Sequence, residues 1–517
     1  MSEEAIDAFC KVAGATLIRS DVSLYKHQEV MLTTAMNDGR KHCVIVTGTG
    51  SGKTEAFLLP VLASIINEAK SKWNAPAFPY GKWPNKISWD DSRKKIRQES
   101  RTPAVRALLL YPMNALVEDQ ISRLRAALDS DESHTAMNNA LAGNRIRFGR
   151  YNGSTPVSGH PFNNDGSANS SKRTELRNKI KTARNEYEDY KRLLAASQVS
   201  LKRTKREGIE AEIDKAEKEL DILLEQRDFI PRMDVDACEM FHRWEMQQCP
   251  PDLLITNVSM LSIMLMRHEN TELDEDRADS QIFDATRQWL EEDRENHVFQ
   301  LVVDELHLYR GSSGTEVGYL LRLLMDRLGL SPDSKQLQIL ASSASLGDDD
   351  ESYEFLGGMF GLSLAEAKSR FHIESGESKY PLDGQQRRLP DTIDIPCLQL
   401  GESLDKGNDP DDRLVAELVT SKNMDALAYS FHDVENNRFT SMSLEKLKNL
   451  WFPSLKDDEQ YTAIRGLFYA LGHATSLQNQ GKAFTSDLLP RLRFHWMAKN
   501  IDGLWATAEF SPEKDEL

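Results

Sequence analysis

The stretch Thr47-Gly48-Thr49-Gly50-Ser51-Gly52-Lys53-Thr54 joins an apolar run, Cys43-Val44-Ile45-Val46, to a helical pattern that opens at Glu55-Ala56-Phe57-Leu58. A chain that wraps a triphosphate must bring several backbone N–H groups close to it, and glycines remove the side chains that would stand in the way. The N-terminus of the following helix adds its partial positive charge. In that arrangement Lys53 bridges the β- and γ-phosphates, and the Thr54 hydroxyl is a ligand of Mg2+. Thr47 occupies the position where the strict pattern has glycine, and a small residue there leaves the loop intact. A second set lies far downstream, in Leu301-Val302-Val303-Asp304-Glu305-Leu306-His307. An apolar strand running straight into two carboxylates suits Asp304 to hold Mg2+ through water and Glu305 to orient and deprotonate an attacking water. His307, two residues on, is placed to touch a neighbouring element.

These groups need a scaffold that delivers them to one edge. Cys43-Val44-Ile45-Val46, Ala107-Leu108-Leu109-Leu110-Tyr111, Leu253-Leu254-Ile255, Phe299-Gln300-Leu301-Val302-Val303 and Leu337-Gln338-Ile339-Leu340 are short and largely apolar. Such runs fit strands buried on both faces of a parallel sheet, with the amphipathic stretches between them as crossover helices. The fold class is therefore α/β, and ligands in such sheets sit beyond the C-terminal ends of the strands. Two segments break the rhythm. Residues 71–102 read as a polar loop excursion. Residues 171–228 carry Leu176, Ile180, Ala183, Tyr187, Tyr190 and Leu194, then Ile209, Ile213, Ala216, Leu220 and Leu223, at helical spacing. That pattern predicts an antiparallel helical hairpin, either a solvated insert or an arm for nucleic acid or a partner.

Taken together, the phosphate loop and the Asp-Glu-x-His box resemble the DEAD/DEAH-box helicases of superfamily two, and the likeness extends over residues 20–350. Gln28 in Tyr25-Lys26-His27-Gln28 stands where the family keeps a glutamine for the adenine edge. Tyr111-Pro112-Met113-Asn114-Ala115-Leu116, Gly149-Arg150-Tyr151-Asn152-Gly153 and Thr256-Asn257-Val258 stand where the family grips the nucleic-acid backbone. The resemblance thus implies Pro112, Asn114, Arg150, Gly153, Thr256 and Asn257 as nucleic-acid contacts. Ser342-Ser343-Ala344-Ser345 resembles the family's coupling motif, with Ser343 and Ser345 as its hydroxyls. The longer stretch Asp304-Glu305-Leu306-His307-Leu308-Tyr309-Arg310-Gly311 is similar to large bacterial helicases of anti-phage systems such as Druantia and DISARM, and to DNA-repair helicases with a cysteine cluster. Leu489-Pro490-Arg491-Leu492-Arg493-Phe494-His495-Trp496 and Gly503-Leu504-Trp505-Ala506 are also similar to those proteins, with Thr507 where a cysteine is expected.

The resemblance implies a RecA-like P-loop sheet, ATP and Mg2+ as cofactors, and DNA, single-stranded or duplex, ahead of RNA. The expected organisation is an N-terminal extension over 1–20 and a RecA-like ATP-binding domain over 21–350. A loop-rich connection over 351–440 and a mostly helical accessory region over 441–517 follow. A complete motor closes two RecA-like domains over ATP, and the second supplies an arginine finger. No Q-x-x-G-R-x-x-R segment follows Gly347, so the expectation is half of a motor, completed by a second RecA-like domain or protein and possibly joined by defence-system subunits. The alternative is a nucleotide-gated binding module, or a truncated remnant, without unwinding activity.

Composition bounds this reading. Lys and Arg number 64 against 81 Asp and Glu, a net charge of −17 that argues against passive DNA coating while leaving room for a local cationic track. The five cysteines are scattered with no C-x-x-C pair, which points to neither a zinc site nor a disulfide framework. No run of about twenty apolar residues is present, so no membrane partner is expected. The acidic N-terminus lacks a secretory pattern, and a cytoplasmic location is expected. The closing Lys514-Asp515-Glu516-Leu517 matches an endoplasmic-reticulum retention address, which is not read without a signal peptide.

Overall fold

A computed structural model describes residues 1–18, 24–37, 39–47, 52–76, 100–159, 161–163, 166–207, 210–266, 279–344, 346–375, 393–433, 438–439 and 443–479. The chain divides into two compact units, Met1–Glu377 and Ser378–Leu517.

The first unit is built on eight strands: β1 His42–Val46, β2 Ala107–Tyr111, β3 Phe148–Tyr151, β4 Glu239–Met240, β5 Leu253–Asn257, β6 Phe299–Val303, β7 Leu337–Ser343 and β8 Phe371–Ser375. They form one sheet in the order β4-β3-β5-β2-β6-β7-β1-β8, and every pairing is parallel. Alternate residues of the central strands enter two different cores, as the two-residue period requires. Val44, Leu108, Leu110, Leu301, Val303, Ile339 and Ala341 pack on one face. Cys43, Ile45, Leu109, Ile255, Val302 and Leu340 pack on the other, with Phe57, Leu58, Val61 and Leu62 of the helix Lys53–Lys72. Burial on both faces explains why these strands are apolar throughout, and the RecA-like α/β class is the one observed.

The unit extends further than the expected 21–350 at both ends. The helix Glu3–Thr16 places Ala8 and Val12 in the core beside the phosphate-loop helix. After residue 346, the helices Asp350–Phe360 and Leu364–Arg370 lead into β8, which pairs with β1. The region read as loop-rich therefore supplies the sheet with its edge strand. Residues 170–226 form the helices Ser170–Glu207 and Glu210–Gln226, joined side to side by a Lys205–Glu217 ion pair of 2.8 Å. Leu176, Ala183 and Tyr190 of the expected stripe are buried, as is Ala216 of the second helix.

In the second unit the helices Asp394–Asp405, Asp412–Leu418, Ser421–Ser430, Leu444–Trp451 and Asp457–Asn479 enclose Leu400, Leu427, Trp451, Phe452 and Leu467. The resembling segments at 489–496 and 503–506 lie outside the described residues. No described helix is long and apolar enough to cross a membrane.

Candidate active site

Strand register sets the site. Val46 pairs with Ser343, Val303 with Ala341 and with Leu110, Tyr111 with Asn257, and Tyr151 with Thr256. One register row past these pairs, Thr47, Asp304, Pro112 and Asn152 all emerge at the C-terminal edge of the sheet, where the sequence placed the ligand crevice.

Lys53 opens the helix Lys53–Lys72 and Thr54 is its second residue. The Lys53 ammonium lies 3.2 Å from a Glu305 carboxylate oxygen, across 252 residues of chain. Lys53 is nearly buried and Glu305 is partly open to solvent, at 9% and 20% side-chain exposure, so the cation is held ready and the carboxylate remains reachable by water. Glu305 sits at φ +52. A left-handed backbone is unfavourable for a residue with a Cβ, and such strain collects at functional sites. It turns the chain sharply as it leaves β6 and separates the directions of Asp304 and Glu305.

Burial pushes the Asp304 carboxyl above its ordinary range, and the neighbouring Glu305 adds to this, against the Ser342 hydrogen bond and the Lys53 charge. Ser342 Oγ donates to Asp304 Oδ1 and accepts from Glu305 N at 3.0 Å. His307 Nδ1 accepts from Ala344 N at 3.2 Å and lies 3.3 Å from Glu305 Oε2. One nitrogen cannot serve both at once. While it accepts from Ala344 it has no proton for Glu305, and protonation would turn it to the carboxylate. β7 thus reaches both acidic residues through Ser342, and Ala344 just beyond the strand holds His307.

At the loop's end, Gln28 Nε2 donates to Gly52 O at 3.0 Å and Gln28 Oε1 accepts from Tyr25 N at 3.0 Å. The Tyr25 and His27 rings stack at 5.4 Å on the same turn. Gly52 has φ +78 and caps the phosphate-loop helix. The expected loop residues Gly48, Thr49, Gly50 and Ser51 lie outside the described residues, as does Ser345. Ser343 is buried in β7 opposite Val46.

Along the same edge three asparagines converge. Asn114 Oδ1 accepts from Asn257 Nδ2 at 2.5 Å and from Asn152 Nδ2 at 3.3 Å. Asn257 Oδ1 caps the next helix by accepting from Met260 N at 2.7 Å, and Thr256 Oγ1 donates to Tyr151 O at 2.7 Å. Arg150 lies in β3 with its guanidinium on Glu118. Pro112 follows β2, and Gly153 occupies the turn after β3, where a Cβ would meet nothing. Sequence reading placed Pro112, Asn114, Arg150, Gly153, Thr256 and Asn257 by order alone, and the register makes them neighbours on three adjacent strands.

Residues 25–149 match the sequence profile of the DEAD/DEAH box helicase family. Over that stretch the chain is similar to DEAD/DEAH box helicases. It is also 30% identical over 367 residues to the Druantia protein DruE of Escherichia coli (strain UMEA 4076-1), a match covering 68% of this chain and 17% of that protein. The chain therefore spans about a sixth of its relative's length. Among solved structures it is similar to the DUF1998 helicase MrfA bound to DNA, at 17% identity and TM-score 0.35 over 72% of this chain and 28% of that one. The DEAD-box helicase Mss116 bound to ssRNA and UDP-BeF matches at 12% identity and TM-score 0.35, over 79% of this chain and 50% of that one.

The chain's residues fit the nucleotide and divalent metal that DEAD/DEAH helicases use. A Cβ on Gly52 would overlap Gln28 Nε2, and its φ of +78 favours glycine at the start of the phosphate-loop helix. Asp304, desolvated beside a second carboxylate, is the kind of oxygen ligand a divalent cation recruits. Sequence reading of this site missed Ser342. Four small residues in a row, Ser342-Ser343-Ala344-Ser345, give no sign of which faces the acids until the β6–β7 register is known.

Gly52→Ala tests the cradle. Left-handed backbone costs a residue with a Cβ about 1–2 kcal/mol, and the overlap with Gln28 adds to it. Urea unfolding should show at least that loss, and a fluorescent ATP analogue should bind more weakly. Adding Gln28→Ala should relieve the overlap and leave the backbone cost. Equal stability of Gly52→Ala and the parent chain would remove the steric account.

Proposed function

We propose that this chain is the ATP-binding half of a helicase or translocase motor that moves on DNA, single-stranded or duplex, in preference to RNA. Bacterial anti-phage defence or DNA repair is its setting, in the cytoplasm. The observation that carries the proposal is the buried Lys53 ammonium 3.2 Å from Glu305, with Asp304 alongside. In this reading Thr47 to Lys53 hold the phosphates, Thr54 and Asp304 hold Mg2+, and Gln28 reads the adenine. Glu305 takes the proton of the attacking water, with His307 set against it. Pro112, Asn114, Arg150, Gly153, Thr256 and Asn257 grip the strand. Ser343 and Ser345 couple hydrolysis to movement, and Ser342 joins them through its bonds to both acids. The defence assignment is supported by the likeness to a Druantia protein.

A second RecA-like domain, or a protein carrying one, would complete the motor, and defence-system subunits are its natural company. An arginine finger is worth about 10³–10⁵ in rate, so ATP turnover by this chain should be feeble although ATP binds. The test is turnover with and without single-stranded DNA, beside Lys53→Ala. Binding lost in Lys53→Ala, with negligible turnover in the parent, supports half a motor. Strong DNA-stimulated turnover that Lys53→Ala abolishes would mean that this chain works alone. The second reading is a nucleotide-gated clamp or remnant without unwinding activity. Strand affinity that changes with nucleotide, while duplex stays unopened after a second motor domain is added, would select it.

A further inference from the structure

Beside the acid pair a groove of about 480 Å³ runs from Tyr309 between the helices Gly311–Arg327 and Asp350–Phe360. That volume falls within the range of sites that hold a ligand. Its floor contains Gly314 and Gly318, four residues apart on one helical face. A Cβ at Gly314 would overlap the Tyr309 carbonyl, and one at Gly318 would come within 3.3 Å of Met359 O. Bare backbone is therefore required here, where the helix packs closely against Tyr309 and Met359.

The walls carry aromatic rings and guanidinium groups. Tyr319 is 66% exposed, and the Arg322 guanidinium stands 5.8 Å from its ring centre. Arg310 stands 5.8 Å from the Phe355 ring. Glu354 is the acid among the lining residues, so two cations face one carboxylate on a chain whose net charge is −17. At the head of the groove Tyr309 is 6% exposed, and its hydroxyl has no hydrogen-bond partner.

Both walls are helices, whose backbone N–H and C=O groups are bonded within themselves. An extended peptide finds no edge to pair with. What the groove offers is ring faces and two cations separated by roughly 18 Å of helix. A ligand matched to these presents flat rings and spaced anions.

We propose that this groove holds a short run of nucleotides of a single strand, with a base laid on Tyr319 and phosphates at Arg310 and Arg322. The proposal rests on the nucleic-acid reading above and adds a contact away from the asparagine cluster. It also gives the strand a line to the ATP site, since Tyr309 follows His307 by two residues. Burial raises the Tyr309 hydroxyl's pKa first, and the charges of Asp304 and Glu305 raise it further, so the phenol feels the acid pair.

The test is fluorescence anisotropy of a labelled oligodeoxythymidine with the full chain, in the presence and absence of a non-hydrolysable ATP analogue. Base stacking on an aromatic ring is worth about 1–3 kcal/mol, so Tyr319→Ala should weaken binding about 5- to 150-fold. Tyr319→Trp should restore it, and an abasic oligonucleotide should not distinguish Tyr319→Ala from the parent. Tyr319 is exposed, and thermal melting checks that its variants fold. Parental affinity in Tyr319→Ala, with binding lost in Asn257→Ala, would overturn the groove and leave the function standing. Loss on Arg322→Glu alone, with abasic and thymidine strands bound equally, would overturn the stacking assignment. No binding of any strand by the parent chain would overturn both proposals.

Discussion

Glu305→Gln is expected to lower ATP turnover by about 10²–10⁴-fold, the usual contribution of a positioned general base, while ATP still binds. The amide keeps the shape of the side chain and loses its basicity. It also releases Lys53 from an ion pair of 3.2 Å, so nucleotide affinity should hold or rise. Turnover is to be measured with the motor complete, where the parent rate is large enough to lose. Glu305→Gly separates chemistry from folding. The residue sits at φ +52, where glycine is unstrained, so this variant should match or exceed the parent in urea unfolding while being equally inactive. Strain that disappears along with activity is what a residue held for chemistry should show. Turnover within a few-fold of the parent in Glu305→Gln would move the base elsewhere and leave Glu305 as a partner of Lys53.

What could be read from the sequence follows from where burial leaves a mark. β1, β2, β5, β6 and β7 are covered on both faces and read as apolar runs, so their existence and order were plain. β8, Phe371-His372-Ile373-Glu374-Ser375, is an edge strand with alternating exposure, and polar residues at every second position hid it inside a loop-like stretch. β3 is four residues long and carries Arg150, and β4 is two residues long, too short for any periodicity. Lys53, Asp304 and Glu305 were legible because phosphate and metal chemistry restricts both residue type and spacing. Ser342 and the meeting of Asn114, Asn152 and Asn257 were not, because they depend on register between strands far apart in the chain. Nor does composition distinguish the few charged residues that lie in the core from the many on the surface.

Arg106 is the clearest of those hidden charges, and Arg106→Ala is expected to cost about 3–5 kcal/mol, the range for breaking a buried ion pair from one side. Its guanidinium is fully buried. It donates to Glu68 Oε1 at 2.6 Å, to Glu68 Oε2 at 2.8 Å and to Asp252 Oδ1 at 3.0 Å, between the rings of Trp73 and Trp289. Asp252 is held a second time by Arg101 at 2.5 Å and by the Arg147 backbone N–H at 2.6 Å, so Glu68 is the group left most exposed to the loss. Burial raises the Glu68 carboxyl pKa, and the charge and hydrogen bonds of Arg106 outweigh that and hold it below its ordinary value. A depressed carboxyl contributes stability that is present above its unfolded pKa and lost as pH falls through the folded one. In Arg106→Ala burial is opposed only by the Trp73 hydrogen bond and the His297 charge, Glu68 should take up a proton more readily, and the variant escapes part of its penalty in acid. The difference between parent and variant should therefore be largest at neutral pH and shrink as pH falls through the carboxylate range, and Glu68→Gln in the variant should recover part of it. A loss below about 1 kcal/mol, or one unchanged with pH, would mean that the network is solvated or redundant. The consequence reaches the site because Arg106 immediately precedes β2, whose far end delivers Tyr111, Pro112 and Asn114 to the sheet's working edge. A sheet unpinned at its base should therefore lose strand affinity along with stability, and ATP affinity less, since β6 and β7 stand between β2 and β1.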